Sequence, residues 1–95
     1  MSTQRQLGFE ISISGRNDGT LEAVYITVRD GKASKTSEVI EGIVLADYDS
    51  RGRLIGIEIL APVKLSKLTP LVEQKRRKPF RDFVKTRAPN ELVLT

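Results

Sequence analysis

The chain has no cysteine and no histidine. Without cysteine there is no disulfide, no thiolate nucleophile and no zinc–thiolate site. Without histidine the commonest general base and the commonest transition-metal ligand are gone. Any chemistry would have to run on carboxylates, lysine, arginine, tyrosine or hydroxyls. No apolar run approaches the roughly 20 residues that a membrane helix needs. The first ten residues, MSTQRQLGFE, lack the apolar centre of a signal peptide. The composition therefore predicts a cytoplasmic protein with no membrane partner. It also predicts no enzymatic activity and no cofactor, because no catalytic, cofactor-binding or metal-ligating set is legible.

What is present fits one small globular domain, residues 1–95, with 39% hydrophobic and 29% charged residues. A core this small is readily completed by a second copy, so a homo-oligomer is expected. Charge is unevenly placed. Residues 64–87 hold nine Lys/Arg and two acids, whereas residues 1–63 hold seven and nine. A mildly acidic body thus carries a strongly basic segment, which points to an anionic partner.

Along the chain, residues 8–14 alternate, with Phe9, Ile11 and Ile13 on one face, and predict a half-buried strand. Arg16, Asn17, Asp18 and Gly19 make a turn. Residues 20–29 form the next strand, with Val24, Ile26 and Val28 on one face. A polar strand at 32–39 reads as a sheet edge or an exposed ribbon. Residues 42–48 and 53–60 form a hairpin around Asp49, Ser50, Arg51 and Gly52, a type I turn with Gly52 left-handed in a G1 bulge. That register sets Tyr48 opposite Leu54, Asp47 opposite Ile55 and Leu45 opposite Ile57. It places Ile43, Leu45, Ile55, Ile57 and Ile59 on one core face. Thr69 and Pro70 read as a helix start, and Phe80, Phe83 and Val84 as the apolar stripe of a helix opened near Pro79 and stopped by Pro89. Residues 91–94 suit a last short strand or a docking arm. The fold expected is α+β: an antiparallel sheet of four or five strands ordered as a meander over 8–60, with one or two short C-terminal helices in a basic tail, 64–88.

Residues 41–60, EGIVLADYDSRGRLIGIEIL, carry a resemblance. With Ala23, Tyr25 and Ile26 upstream, the residues Glu41, Gly42, Asp47, Asp49, Gly52, Gly56, Ile57, Glu58, Ile59 and Leu60 fit the pattern of the DUF2283 family, also called YuzE-like. The similarity covers about residues 9–60. Glu22 departs from it, standing where the family usually has Asp. The resemblance implies a small antiparallel sheet with a helix and no established activity. It also implies an antitoxin-like role beside a toxin-like protein partner.

Three groups of residues are candidate sites. Asp47, Asp49 and Glu58 offer either a weak oxygen-ligand cation site or a carboxylate pair. The predicted register argues against both, because it splits Asp47 and Glu58 between faces and leaves Asp49 to bond the turn backbone. Glu58 stands in an apolar strand and calls for a cationic or backbone partner, such as Arg29, Arg53 or a basic residue of the tail. With Tyr48 and Leu54 it forms the predicted interaction surface. Lys75, Arg76, Arg77 and Lys78, with Lys67, Arg81, Lys85 and Arg87, form a basic patch that suits nucleic-acid phosphates, solvation alone or the acidic body of a neighbouring subunit. Gly56 permits close packing over its strand, and Tyr25 and Tyr48 read as sheet-face packing residues. The leading functional expectation is a non-enzymatic protein-interaction module. The alternative is a nucleic-acid-binding or autoregulatory protein using the basic tail.

Overall fold

The computed structural model describes residues 8–95 in full and, for β1, the backbone of Ser2–Gln6. The strands are β1 (Ser2–Gln6), β2 (Phe9–Gly15), β3 (Leu21–Thr27), β4 (Lys35–Ile40), β5 (Val44–Tyr48) and β6 (Leu54–Ile59). They form a single antiparallel sheet in the order β1-β2-β3-β6-β5-β4. The α+β class and the antiparallel sheet agree with the expectation. The order is two three-stranded meanders joined where β3 meets β6. After β3 the chain crosses to the far edge and works back inward, so the polar strand β4 takes the edge. Its exposed Lys35 and Glu38 and the irregularity before Ile40 suit an edge that must not pair with another chain.

The C-terminal segment contains a two-residue strand β7 (Val63–Lys64), helix α1 (Leu65–Leu68), two 3₁₀ turns, helix α2 (Arg77–Arg87) and strand β8 (Val93–Leu94). Residues 91–94 thus include a strand, which pairs in parallel with β7. Thr69 is not the N-cap of a helix; it is the C-cap of α1. Its hydroxyl donates to the Leu65 carbonyl at 3.0 Å, and Pro70 lies in the 3₁₀ turn that continues α1. Pro79 sits at the third position of α2, where a helix has no intrahelical use for its N–H.

Phe80, Phe83 and Val84 bury the apolar stripe of α2 against the sheet, as their spacing predicts. They meet Phe9, Ile11, Val24, Ile26, Val44, Ile57 and Ile59. Phe9 joins the two layers, with its ring centroid 5.8 Å from Phe80 and 5.5 Å from Phe83. One face of the sheet is therefore core, and the other carries no helix.

The hairpin departs from the predicted register for a local reason. Its turn is as expected: Gly52 has φ +79°, its N–H donates to the Asp49 carbonyl, and Tyr48 pairs with Leu54. The next pair is Asp47 with Gly56, so Ile55 is an extra residue in β6. This bulge holds because the Ile55 carbonyl accepts from two successive amides, Val28 at 2.7 Å and Arg29 at 3.2 Å. Beyond it every β5 side chain lies on the opposite face from the one expected. Val44 and Ala46 are the core residues of β5. Leu45 faces away, opposite Glu58, and Ile43 packs only on the core margin. Ile57 and Ile59 are core as predicted, while Ile55 is buried outside the main cluster.

Asp49 organises the turn. Its carboxylate accepts from the amides of Arg51 and Arg53, both at 2.9 Å, and from the Arg53 guanidinium at 2.8 Å. The Arg53 amide, followed by the Arg53 side chain and the Arg51 amide, holds this carboxyl below its usual range despite some desolvation. A depressed carboxyl stabilises the fold above its unfolded pKa, and that contribution is lost as pH falls through the folded value. Asp49→Ala is therefore expected to lower the melting temperature at neutral pH and to leave a smaller drop on acidification. Parallel melts of wild type and variant across the acid range check this, and parallel curves at every pH would refute it.

Candidate interaction face and basic groove

The helix-free face of the sheet presents two rows of side chains from β2 to β4. Cross-strand pairing sets Glu10, Thr27, Gly56, Asp47 and Thr36 in one row, and Ser12, Tyr25, Glu58, Leu45 and Glu38 in the other. Asp47 and Glu58 thus share a face, which corrects the split inferred from the sequence. The bulge at Ile55 brings them together.

Within this grid Tyr25 lies across Gly56 and donates its hydroxyl to Asp47 Oδ2 at 2.8 Å. The ring takes the space that a Cβ at position 56 would occupy. Thr36 donates to Asp47 Oδ1 at 2.6 Å, so three strands are pinned at one carboxylate. Burial, then the hydrogen bond to Asp47 and the charges of Asp47 and Glu58, push the Tyr25 phenol above its ordinary pKa. The expectation that Gly56 lets another group approach its strand is met by Tyr25 itself. Tyr25 is a locked hydrogen-bond donor as well as a packing residue.

Glu58 is half-buried between Tyr25 and Leu45 in its row. It makes no hydrogen bond or ion pair among the described residues. The cations proposed for it are used elsewhere. Arg29 meets Glu73 at 3.2 Å, and Arg53 meets Asp49. Tyr48, Leu54 and Glu58 do not form one surface. Tyr48 and Leu54 line a cleft on the helix side with Val28, Leu71, Val72 and Arg76, while Glu58 is on the open face. Among the described residues no cluster of three or more Asp/Glu has metal-binding geometry.

The basic patch also divides. Arg76 stacks over the Phe9 ring at 4.5 Å and donates to the Val28 carbonyl at 2.6 Å. Arg77 donates to the carbonyls of Val72 at 2.9 Å and Pro70 at 3.3 Å. Both guanidinium groups hold the helical segment together, so charge reversal at either would test folding before binding. Lys75 and Lys78 are exposed, and Lys78 lies 3.6 Å from Asp82. Arg77 also belongs to a second set of cations, which converges. Arg77, Arg81 and Lys85 follow one another at i, i+4 and i+8 along α2 and face Lys64 across a groove. The helical spacing was legible in the sequence. Lys64 was not, because the pairing of β7 with β8 positions it.

The architecture is that of a small α+β protein with one sheet face covered by C-terminal helices. Residues 18–61 match the family model of DUF2283, described as a protein of unknown function, which supports over this segment the resemblance read from the sequence. The match begins later than the resemblance read from the sequence, leaving β2 outside. It includes Tyr25, Thr36, Asp47, Gly56 and Glu58, whereas the groove residues lie beyond it. No curated protein and no solved structure matches the chain significantly. Among the described residues, no helix is long and apolar enough to cross a membrane.

Proposed function

We propose that the protein is a non-enzymatic protein-interaction module whose open sheet face binds a basic partner protein. The observation that carries this reading is Glu58, a half-buried carboxylate with no cation among the described residues and Leu45 directly opposite it. A carboxylate so placed gains most from a partner that brings a lysine or arginine framed by apolar surface. The two rows reinforce the preference. They carry Glu38 and Asp47 as well, and no lysine or arginine of β2 to β4 stands in them. The rigid Tyr25–Asp47–Thr36 bracket keeps the face from rearranging on contact, which lowers the entropic cost of binding. Two such faces would repel each other, so the reading favours a different protein over face-to-face pairing of two copies. A toxin-like partner of the kind the family resemblance implies would have to present such a basic surface.

The test is affinity capture from the source cells, with mass spectrometry, comparing wild type with Glu58→Lys and with Arg81→Glu as a charge control. The reading expects a basic protein whose recovery falls by about tenfold or more with Glu58→Lys, since apposed like charges cost several kcal/mol. Recovery should persist with Arg81→Glu. Equal recovery by wild type and Glu58→Lys would sink the proposal.

A further inference from the structure

We infer that the groove between α1, α2 and the β7–β8 pair is a binding site for a small ligand carrying linked phosphates. The site is separate from the open sheet face and does not depend on the reading given for that face. The groove encloses about 550 Å³, within the range of small-molecule sites. Lys64, Arg77, Arg81 and Lys85 line it, and among the described residues no Asp or Glu side chain does. Lys64, Arg81 and Lys85 are exposed and make no ion pair among the described residues. Thr95 lines the groove as well, and its carboxylate offsets one of the four cations at most; the remaining positive charge raises the local potential and favours an anion.

Arg77 is already fixed. Its bonds to the Val72 and Pro70 carbonyls hold the guanidinium plane at the groove wall, so little entropy is lost when it meets an oxyanion. Arg77 and Lys85 are eight residues apart on α2, about 12 Å along the axis. A single phosphate cannot reach both ends of that stripe, whereas a chain of linked phosphates can. The hydroxyl residues Ser66 and Thr69 also line the groove. Leu65, Pro70 and Leu94 supply its apolar wall, and no aromatic ring is present on which nucleic-acid bases could stack. This absence favours a compact phosphate chain over a nucleic-acid strand.

The experiment is isothermal titration calorimetry of the full chain with inorganic tripolyphosphate, orthophosphate and a short single-stranded RNA. Wild type is compared with Arg81→Glu/Lys85→Glu and with Lys75→Glu/Lys78→Glu, which removes the same charge outside the groove. Thermal melts establish that each variant is folded, and Lys85→Gln serves as a milder groove variant. Tripolyphosphate should bind wild type more tightly than orthophosphate does. It should lose at least about tenfold in affinity with the groove pair, because two charge-assisted contacts are replaced by repulsion. The outside pair should change affinity by less than about threefold, as exposed charges act weakly. Equal losses in the two double variants would mean diffuse charge attraction and overturn the site. So would absence of tripolyphosphate binding, or RNA binding that tripolyphosphate does not displace.

Discussion

Phe9→Ala is expected to cost about 3–5 kcal/mol, the range for removing a buried phenylalanine side chain. Domains of this kind have only roughly 5–15 kcal/mol in all. Phe9 is 1% exposed and is the ring on which the layers meet: it contacts Phe80 edge-on and Phe83 at a tilt, both from α2, and carries the Arg76 guanidinium on its face. Truncation opens a cavity and also leaves Arg76 without its ring, while its bond to the Val28 carbonyl remains. Urea unfolding should show a lower midpoint at an unchanged slope. Phe9→Leu should recover part of the loss by refilling volume. Phe80→Ala should cost a similar amount, and the double variant less than the sum, because the two rings share one contact. A Phe9→Ala loss below about 1 kcal/mol would mean that the helical segment does not depend on this ring.

Gly56→Ala has the second largest expected effect, and its cause is unrelated to the conformational freedom of glycine. The Cβ would overlap the Tyr25 phenol, so the ring must leave and its bond to Asp47 must break. Overpacking of this kind costs about 1–3 kcal/mol, and each kcal/mol lowers the melting temperature of a domain this size by about 4–8 °C. The effect should reverse in a Tyr25→Ala background. There the site is empty, and alanine in a strand is better than glycine by roughly 0.5–1 kcal/mol. A second readout is alkaline titration in a Tyr48→Phe background. The raised Tyr25 pKa means that the fold favours the neutral phenol. This contribution is present below the unfolded tyrosine range and is lost as pH rises through the folded value. In Gly56→Ala the phenolate signal should return toward the ordinary range. An unchanged melt and an unchanged titration would show that Tyr25 does not occupy the space over Gly56.

These two positions differ in how far the sequence reveals them. Phe9 lies in a clean alternation with Ile11, and its burial follows from the period of two. The stripe Phe80, Phe83 and Val84 is legible in the same way from helical spacing, and the Asp49–Gly52 turn from backbone chemistry. Gly56 is legible only as a strand glycine that admits some close approach. What approaches it comes from β3, 31 residues earlier in the chain.

The face of β5 marks the limit. The turn sets Tyr48 against Leu54 correctly, and an unbroken ladder would carry that register onward. The bulge at Ile55 shifts it by one, and the cause is the double acceptance of the Val28 and Arg29 amides, a contact from outside the hairpin. Hence Val44 and Ala46, not Ile43 and Leu45, enter the core, and Asp47 and Glu58 share the open face.

The sequence by itself determined the α+β class, strands β2 to β6 and their turns, the buried stripe of α2 and the basic character of the tail. Each is encoded by residues close together in the chain, through side-chain period, turn chemistry or composition. Only the tertiary structure decided the joining of β3 to β6, the face of each hairpin residue, and which cations hold the fold, which line the groove and, in Arg77, which does both. Those outcomes depend on which backbone and aromatic groups from distant segments compete for the same side chain. Arg76 is committed by the Val28 carbonyl and the Phe9 ring, while among the described residues no ion pair makes such a claim on Lys64, Arg81 or Lys85.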